Sequence, residues 1–396
     1  MDKCCLMNIL LLPRELIGEI SNALQIKDAI VFGKTNKQFL TNLSKSDFGY
    51  KIDHLVKINT VYDLENKNDY KRRPHVIGNF KHFKITSVNQ IKYLQSICHS
   101  LTRITFGLKF NRPIEKLELP KSLTHLTFGC NFNQSIDNLE LPESLTHLTF
   151  GHFFNQPVDN LKLPQSLTHL TFGYCFNHPI NNLKLPKSLI HLAFELGFYQ
   201  CRDNINIEHH LSLTHLEFGN SFNISFDNFK LPKSLTHLKI GSDFYPSIDK
   251  LNLDSQSSLT HLEFGRFFNH SIDHLKLPPS LLHLTFGDLF NQPIDNIEFP
   301  KSLKYLKFGV VFNQRVDNLK LPQSLTHLEF GKFFNRSVDN LELPKLLTHI
   351  TFGVDFNQPI DNLKLPKTLS HITFNHVYGQ SLDCLSLLPH LSIARQ

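Results

Sequence analysis

The sequence predicts a mainly-β solenoid of 22-residue coils, with two short strands per coil and a small helical domain in front. Three observations lead there. The phrase Leu123-Thr124-His125-Leu126-Thr127-Phe128-Gly129 returns one period later as Leu145 to Gly151, and it occurs 13 times between Leu101 and Leu369. Within each unit, two places end in strict apolar alternation, Leu126 and Phe128, then Leu139 and Leu141, which is the period of a half-buried strand. An aromatic recurs between them in every unit, from Phe110 and Phe132 through Phe356 to Tyr378. A unit this short buries too little apolar surface to offset the ordering of its own backbone, so it must stack on its neighbours.

Each position of the unit has a task under this reading. Leu126 and Phe128 face inward from the first strand, against Leu139 and Leu141 from the second. Gly129 ends the first strand, where freedom to take a positive φ would let the chain turn. Pro142 ends the second because it cannot donate to a ladder. The aromatic column is expected to form one spine at a ladder spacing of about 4.8 Å. The Asn that follows most of these aromatics, as in Phe132-Asn133, is expected to form an amide ladder serving turn backbone groups. The return segment leaves no room for a helix.

Ahead of the repeats the pattern changes. Residues 1–48 read as short helices, with apolar residues at spacings of three and four and a break at Gly33. Residues 49–100 read as a Lys-rich linker ending in an N-terminal cap, with a degenerate unit starting at Phe80-Lys81-His82-Phe83-Lys84-Ile85. Lys71-Arg72-Arg73 has the composition of a nuclear signal, but a solvated linker is the simpler reading. Residues 101–396 are the solenoid.

Composition excludes several classes. A net charge of +6 over 396 residues, with no recurring basic stripe, gives no footprint for nucleic acid. Seven Cys without Cys-x-x-Cys spacing suit free thiols rather than a disulfide frame or a zinc site. The apolar run from Cys4 to Leu12 has no small-residue cleavage site, so secretion is not expected, and nothing is long enough to span a membrane. No nucleophile triad, phosphate loop or His-Glu-x-x-His signature appears, so neither an enzyme nor a cofactor is expected.

The third position of the first strand is His in 11 of 13 units, including His125, His147, His169, His191, His215, His237, His261 and His283. Arg103 and Tyr305 interrupt this column, and His390 is expected to continue it. Alternation with inward Leu places these rings on the solvent face, about 5 Å apart. A single-file row does not offer tetrahedral closure, so a structural ladder or binding surface is preferred over a metal site. Asp recurs at the fifteenth position, as in Asp137 and Asp339, where one carboxylate per coil suits turn capping better than acid–base work. The fifth-position Thr column is broken by Glu217, Lys239, Glu263, Lys307 and Glu329, so it is no uniform lattice.

Variation concentrates at the eighth and ninth positions: His152-Phe153, Tyr174-Cys175, Arg266-Phe267, Asp288-Leu289 and Lys332-Phe333. Phe153, Tyr174, Phe267 and Phe333 are therefore the candidate anchors for a protein partner, set against drift at unconstrained loop tips.

Two resemblances follow from these residues. Phe290-Asn291-Gln292-Pro293-Ile294 and Phe356-Asn357-Gln358-Pro359-Ile360 resemble the FNIP repeat, a relative of leucine-rich repeats expanded in social amoebae and in giant viruses that infect amoebae. Here the Asn falls two positions later than in the general leucine-rich consensus. Leu12-Pro13-Arg14-Glu15-Leu16-Ile17-Gly18-Glu19-Ile20 resembles an F-box, in which Leu12, Pro13, Leu16, Ile17 and Ile20 would grip a Skp1-type adaptor. Gly33-Lys34-Thr35 departs from that family's hydrophobic second half. Together the resemblances imply a viral substrate-recruiting adaptor of a Skp1–cullin–F-box ubiquitin ligase. It would work in the host cytoplasm or nucleus, with an unidentified protein substrate on the solenoid. A general interaction scaffold without a ubiquitin link is the alternative.

Overall fold

The computed structural model describes residues 82–85, 101–115, 117–195, 207–219, 229–241, 248–387 and 390–395. Segment 1–48, expected to be helical, lies with its Leu12 to Ile20 motif outside the described residues, as do the spine positions Phe198, Phe222 and Phe244.

Each repeat contributes one short parallel strand. In order these are β1 (His82–Ile85), β2 (Arg103–Phe106), β3 (His125–Thr127), β4 (His147–Thr149), β5 (His169–Phe172), β6 (His191–Phe194), β7 (His215–Glu217), β8 (His237–Ile240), β9 (His261–Phe264), β10 (His283–Thr285), β11 (Tyr305–Lys307), β12 (His327–Glu329), β13 (His349–Thr351), β14 (His371–Phe374) and β15 (Ser392–Arg395). The chain divides into two compact units. The first runs to Leu170 and takes in Leu183–Pro186; the second holds Thr171–Asn182 and everything from Lys187 onward. In the first unit β1 to β4 pair in parallel in chain order. In the second, β6 to β15 do the same. The register sets equivalent repeat positions opposite each other, as in His125↔His147 and His327↔His349. The degenerate unit expected at Phe80 thus supplies β1, where His82 pairs with Arg103.

Two strands per coil were expected, and the described coils contain one. The segment from Ile136 to Leu141 is turn structure. Leu139 N–H bonds Ile136 O at 3.0 Å, and Leu145 N–H bonds Pro142 O at 3.0 Å. With a third turn at Phe132 N–H to Gly129 O, 3.1 Å, the coil bends three times in 22 residues. The apolar spacing at Ile136 and Leu139 is three, and a turn brings both inward; Leu141 is half-buried, while its equivalents Leu163, Leu277 and Leu321 are buried. Among the described residues there is no α-helix, and the 3-10 segments are Ile248–Leu251, Leu253–Ser255 and Asp383–Leu387. The second of these lies in the unit Leu235 to Ser258, one of two that run to 24 residues, and is entered through Asn252 at φ 48°.

The role expected of glycine also changes. No described glycine has a positive φ. What the position requires is proximity: a Cβ placed on Gly129 would overlap the carbonyl oxygen of Gly107, one coil back, and the same holds for Gly309 against Gly287. Backbones of successive coils touch here, and only a hydrogen atom fits between them.

The aromatic spine is present, and it is double. The tenth-position rings stack at 6.2 Å in Phe132–Phe154 and again in Phe312–Phe334. A second column at the sixth position stacks at 5.4 Å in Phe128–Phe150 and 5.7 Å in Phe308–Phe330. The two columns interlock, with Phe330 and Phe334 4.1 Å apart. Centroid distances exceed the strand spacing because the near-parallel rings are offset, the arrangement their quadrupoles prefer.

Polar ladders close the ends of each coil. Asn155 N–H bonds the Asn133 side-chain oxygen at 2.9 Å, Asn313 N–H bonds that of Asn291 at 2.9 Å, and neighbouring Gln side chains reach the same oxygens. A Ser column ahead of most first Leu residues donates to the backbone of the preceding coil, as in Ser144 Oγ to Leu123 O and Ser324 Oγ to Leu303 O, each 2.7 Å. Asp137 and Asp339 accept from Ser135 and Ser337 two residues before them, in keeping with turn caps.

Burial separates the two kinds of aromatic. Phe312 is fully buried, whereas Phe153 is 48% exposed. Phe312→Ala should destabilise the protein by about 3–5 kcal/mol, and Phe153→Ala should stay within about 0.5 kcal/mol of wild type. Chemical denaturation of the two variants checks this; equal losses would invert the inside–outside assignment.

Candidate functional site

The outward face of the strands carries the third and fifth positions of each repeat. The His column stands there, but its rings are mostly half-buried rather than free in solvent. They lie nearly flat on one another: His125, His147 and His169 stack at 4.1 Å, beginning in the first unit. In the second unit His215, His237, His261 and His283 stack at 4.1–4.2 Å, and His327, His349 and His371 at 4.2–4.3 Å. Mutual covering by the rings is what hides them. The column does not continue at His390: β15 pairs Ser392 with His371, and His390 lies in the turn before it.

The residue ahead of each His orients its ring. Thr146 Oγ1 lies 3.0 Å from Thr124 O and 2.8 Å from His147 Nδ1; Thr236 and Thr348 repeat the arrangement with His237 and His349. A hydroxyl has one proton to give. Since that proton goes to the carbonyl, Oγ1 accepts from the ring, and Nδ1 carries the hydrogen. The neutral rings therefore present the Nε2 lone pair outward. His191 follows Ile190 instead of Thr, and its Nε2 meets Glu217 Oε1 at 3.1 Å while its ring tilts 36° from His215. Tyr305 breaks the column on the other side, donating to Glu329 Oε1 at 2.7 Å.

Close stacking makes protonation unfavourable. Desolvation lowers the pKa of His215, His237, His283 and His349; other rings of the column lower it further, joined at His283 by Lys304. His261, with rings on both sides, falls from 6.5 to about 4 by the same two causes. Glu217 is lowered chiefly by its hydrogen bond with His191. Among the described residues no group of three or more His, Cys, Asp or Glu is placed to hold a metal ion.

Beside the His column the fifth position forms a charged row in the second unit. Lys239 pairs with Glu263 at 2.7 Å and Lys307 with Glu329 at 3.1 Å, each across one coil step. The eighth position forms a parallel row, with Arg266 paired to Asp288 at 3.3 Å. Between the rows runs a groove of about 520 Å³, floored by Gly287, Gly309, Gly331 and Gly353. No motif in the sequence marks this groove. In the sequence the fifth column reads as a broken Thr lattice, and only the fold sets a bare glycine row between it and the eighth column.

The expected partner anchors are at the surface. Phe153, Tyr174, Phe267 and Phe333 are 37–48% exposed. In the second unit the ninth position runs Phe267, Leu289, Val311, Phe333, and backbone bonds of 2.8–2.9 Å tie Leu289, Val311 and Phe333 each to the coil before it. These tips are held in register instead of drifting. Arg266 and Lys332 lie over the faces of Phe267 and Phe333 at 5.5 and 5.4 Å.

The arrangement is that of a stacked-coil binding surface: parallel strands with ordered, variable side chains outside and near-constant packing inside. The FNIP repeat model matches residues 89–131, 110–153, 132–175, 154–197, 211–243, 257–289, 290–333 and 334–376, and the chain belongs to the FNIP repeat family. Its described repeats form a parallel β solenoid of the leucine-rich-repeat kind, a typically non-catalytic protein-binding fold. Among solved structures, CroV588, described as a novel circular leucine-rich-repeat protein, is 34% identical over 79% of this chain, with a TM-score of 0.41. This chain spans 61% of that protein's length. An internalin (inlF) from Listeria monocytogenes is 16% identical over 71% of this chain and 82% of its own, at a TM-score of 0.44. The Drosophila Toll–Spatzle complex matches at 14% identity over 85% of this chain and 42% of that one, with a TM-score of 0.49. No curated protein matches.

The depressed His pKa values make stability depend on pH. Below the ordinary value of 6.5 the unfolded chain takes up protons that the stacked rings refuse, so stability falls as pH drops from 6.5, for His261 down to about 4. Above 6.5 this contribution is fully present. Glu217, also lowered, loses its contribution only as pH falls below 4.5. Wild type should therefore have a lower denaturation midpoint at about pH 5 than at about pH 7.5, with the difference smaller in His237→Gln/His261→Gln/His283→Gln. Salt should soften it. An equal acid loss in both proteins would show that the stacked row is not its source.

Proposed function

We propose that this chain is a non-catalytic adaptor that holds a protein substrate on its FNIP solenoid and recruits a Skp1–cullin ubiquitin ligase through residues 1–48. The observation that carries the binding half is the division of labour within each coil. Buried positions repeat nearly without change, while the eighth and ninth positions differ from coil to coil, and the fifth does so from Glu217 to Glu329, yet the coil tips stay locked in register by backbone bonds. A surface that is ordered and individually varied suits recognition of one protein surface better than a repeating lattice does. The His column adds a half-buried polar strip along the same face.

The recruiting half rests on the F-box-like spacing of Leu12, Pro13, Leu16, Ile17 and Ile20. By that resemblance the protein is a viral factor that redirects host ubiquitination from the host cytoplasm or nucleus. A plain scaffold without the ligase link is the alternative, in which residues 1–48 only cover the start of the solenoid.

Leu12→Ala/Pro13→Ala separates the two. Pull-down of a Skp1-type protein by the full chain should be lost in the double variant while circular dichroism and the denaturation midpoint stay unchanged. Capture that persists in the variant, or is absent in wild type, would leave only the scaffold.

A further inference from the structure

The groove between the fifth- and eighth-position rows of the second unit spans several coils and is not accounted for by the packing of the solenoid. Its charges are largely settled among themselves: Lys239 with Glu263, Lys307 with Glu329, and Arg266 with Asp288. Among the described lining residues Lys332 is the cation that has no carboxylate within salt-bridge distance; its ammonium lies 5.4 Å over the Phe333 ring. One coil to either side, the same row holds Val310 and Val354, the latter 44% exposed. The groove thus offers one open positive charge between two apolar patches, with bare glycine backbone as its floor.

Coil-to-coil spacing sets the size of what fits. Parallel strands step by about 4.8 Å, so Val310 and Val354 stand about 5 Å on either side of Lys332. In an extended peptide, side chains two residues apart point the same way and are separated by about 6.6 Å. Flexible side chains span the difference of about 2 Å. A peptide lying along the groove can therefore seat a carboxylate on Lys332 and an apolar residue on each valine. The intervening side chains point out of the groove.

We infer that this groove binds an extended acidic peptide segment of the partner, of the pattern apolar-x-(Asp/Glu)-x-apolar, with Lys332 reading the acid and Val310 and Val354 reading the apolar residues. This rests on the interaction-scaffold reading and names the chemistry of what is held. The carboxylate takes the ammonium from the Phe333 face into a charge-assisted hydrogen bond, the stronger contact, and the pairing of the other charges disfavours a basic peptide.

Panning a phage-displayed random heptapeptide library on the full-length protein at neutral pH tests it. The expected result is enrichment of the apolar-x-acidic-x-apolar pattern, with binding of the selected peptides weakened roughly tenfold or more in Lys332→Glu. Lys332→Glu is expected to select instead for Lys or Arg at the central position. Lys332 is exposed at a coil tip, and an unchanged denaturation midpoint checks that the variant folds. Enrichment of peptides without a central acid, binding indifferent to Lys332→Glu, or no enrichment at all would overturn the groove assignment. Selected peptides lost on changing Phe153 or the His column, but not Lys332, would overturn the groove and leave the scaffold reading standing.

Discussion

Everything in this solenoid depends on how closely one coil can lie on the next. At Gly129, Gly151, Gly309 and Gly331 the preceding glycine carbonyl occupies the space a Cβ would need. That contact lets the strand ladders reach hydrogen-bonding distance while two columns of Phe fill the interior. Loosening it would pull apart the backbone bonds, the Asn and Ser ladders and the ring stacks together, because all of them run in the same direction, from coil to coil. Few contacts are available within a coil, so interfaces between coils hold the stability.

The same contact shapes the surface. Removing side chains along one line leaves a trough, and the rows on either side become its walls. Stacking also brings like residues together, which is harmless for Phe and Asn and awkward for titrating groups. His237, His261 and His349 meet it with lowered pKa values and with Nδ1 held by the preceding Thr hydroxyl. After Ile190 and Lys304, where Thr is replaced, His191 and Tyr305 turn to a Glu side chain, while His283, after Leu282, stays stacked on His261. In the second unit charged residues at the fifth position tolerate stacking by alternating in sign between neighbouring coils, as Lys239 and Glu263 do.

Much of this could be read from one sequence. A 22-residue period with Leu, Phe and Asn at fixed places specifies the stacked coil, the aromatic spine and the Asn ladder without reference to any structure. Other features could not be read so easily. The alternation at Leu139 and Leu141 looks like a strand, yet Ile136 and Leu139 are joined by a turn bond, and turns and short strands place apolar residues inward at overlapping spacings. Glycine after Phe suggests a φ requirement, but its cause is a neighbour 22 residues away. The groove was hidden because its walls are the positions that vary most, and variation by itself does not reveal which side chains face each other. His390 followed by Leu391 copies the His-Leu pair of the earlier strands, whereas the ladder register sets Ser392 opposite His371.

A matched pair of substitutions tests the close-approach claim. Gly331 abuts the carbonyl oxygen of Gly309, whereas a Cβ on Gly379 would have its nearest neighbour at 3.6 Å. Neither has a positive φ, so Ala is compatible with both backbones. Denaturation midpoints of Gly331→Ala and Gly379→Ala should therefore diverge. The first should lose about 1–3 kcal/mol or more from overpacking, and the second should be neutral or gain about 0.4–1 kcal/mol by restricting the unfolded chain. Equal effects at the two sites would contradict the claim that coil-to-coil contact at the glycine row sets the structure.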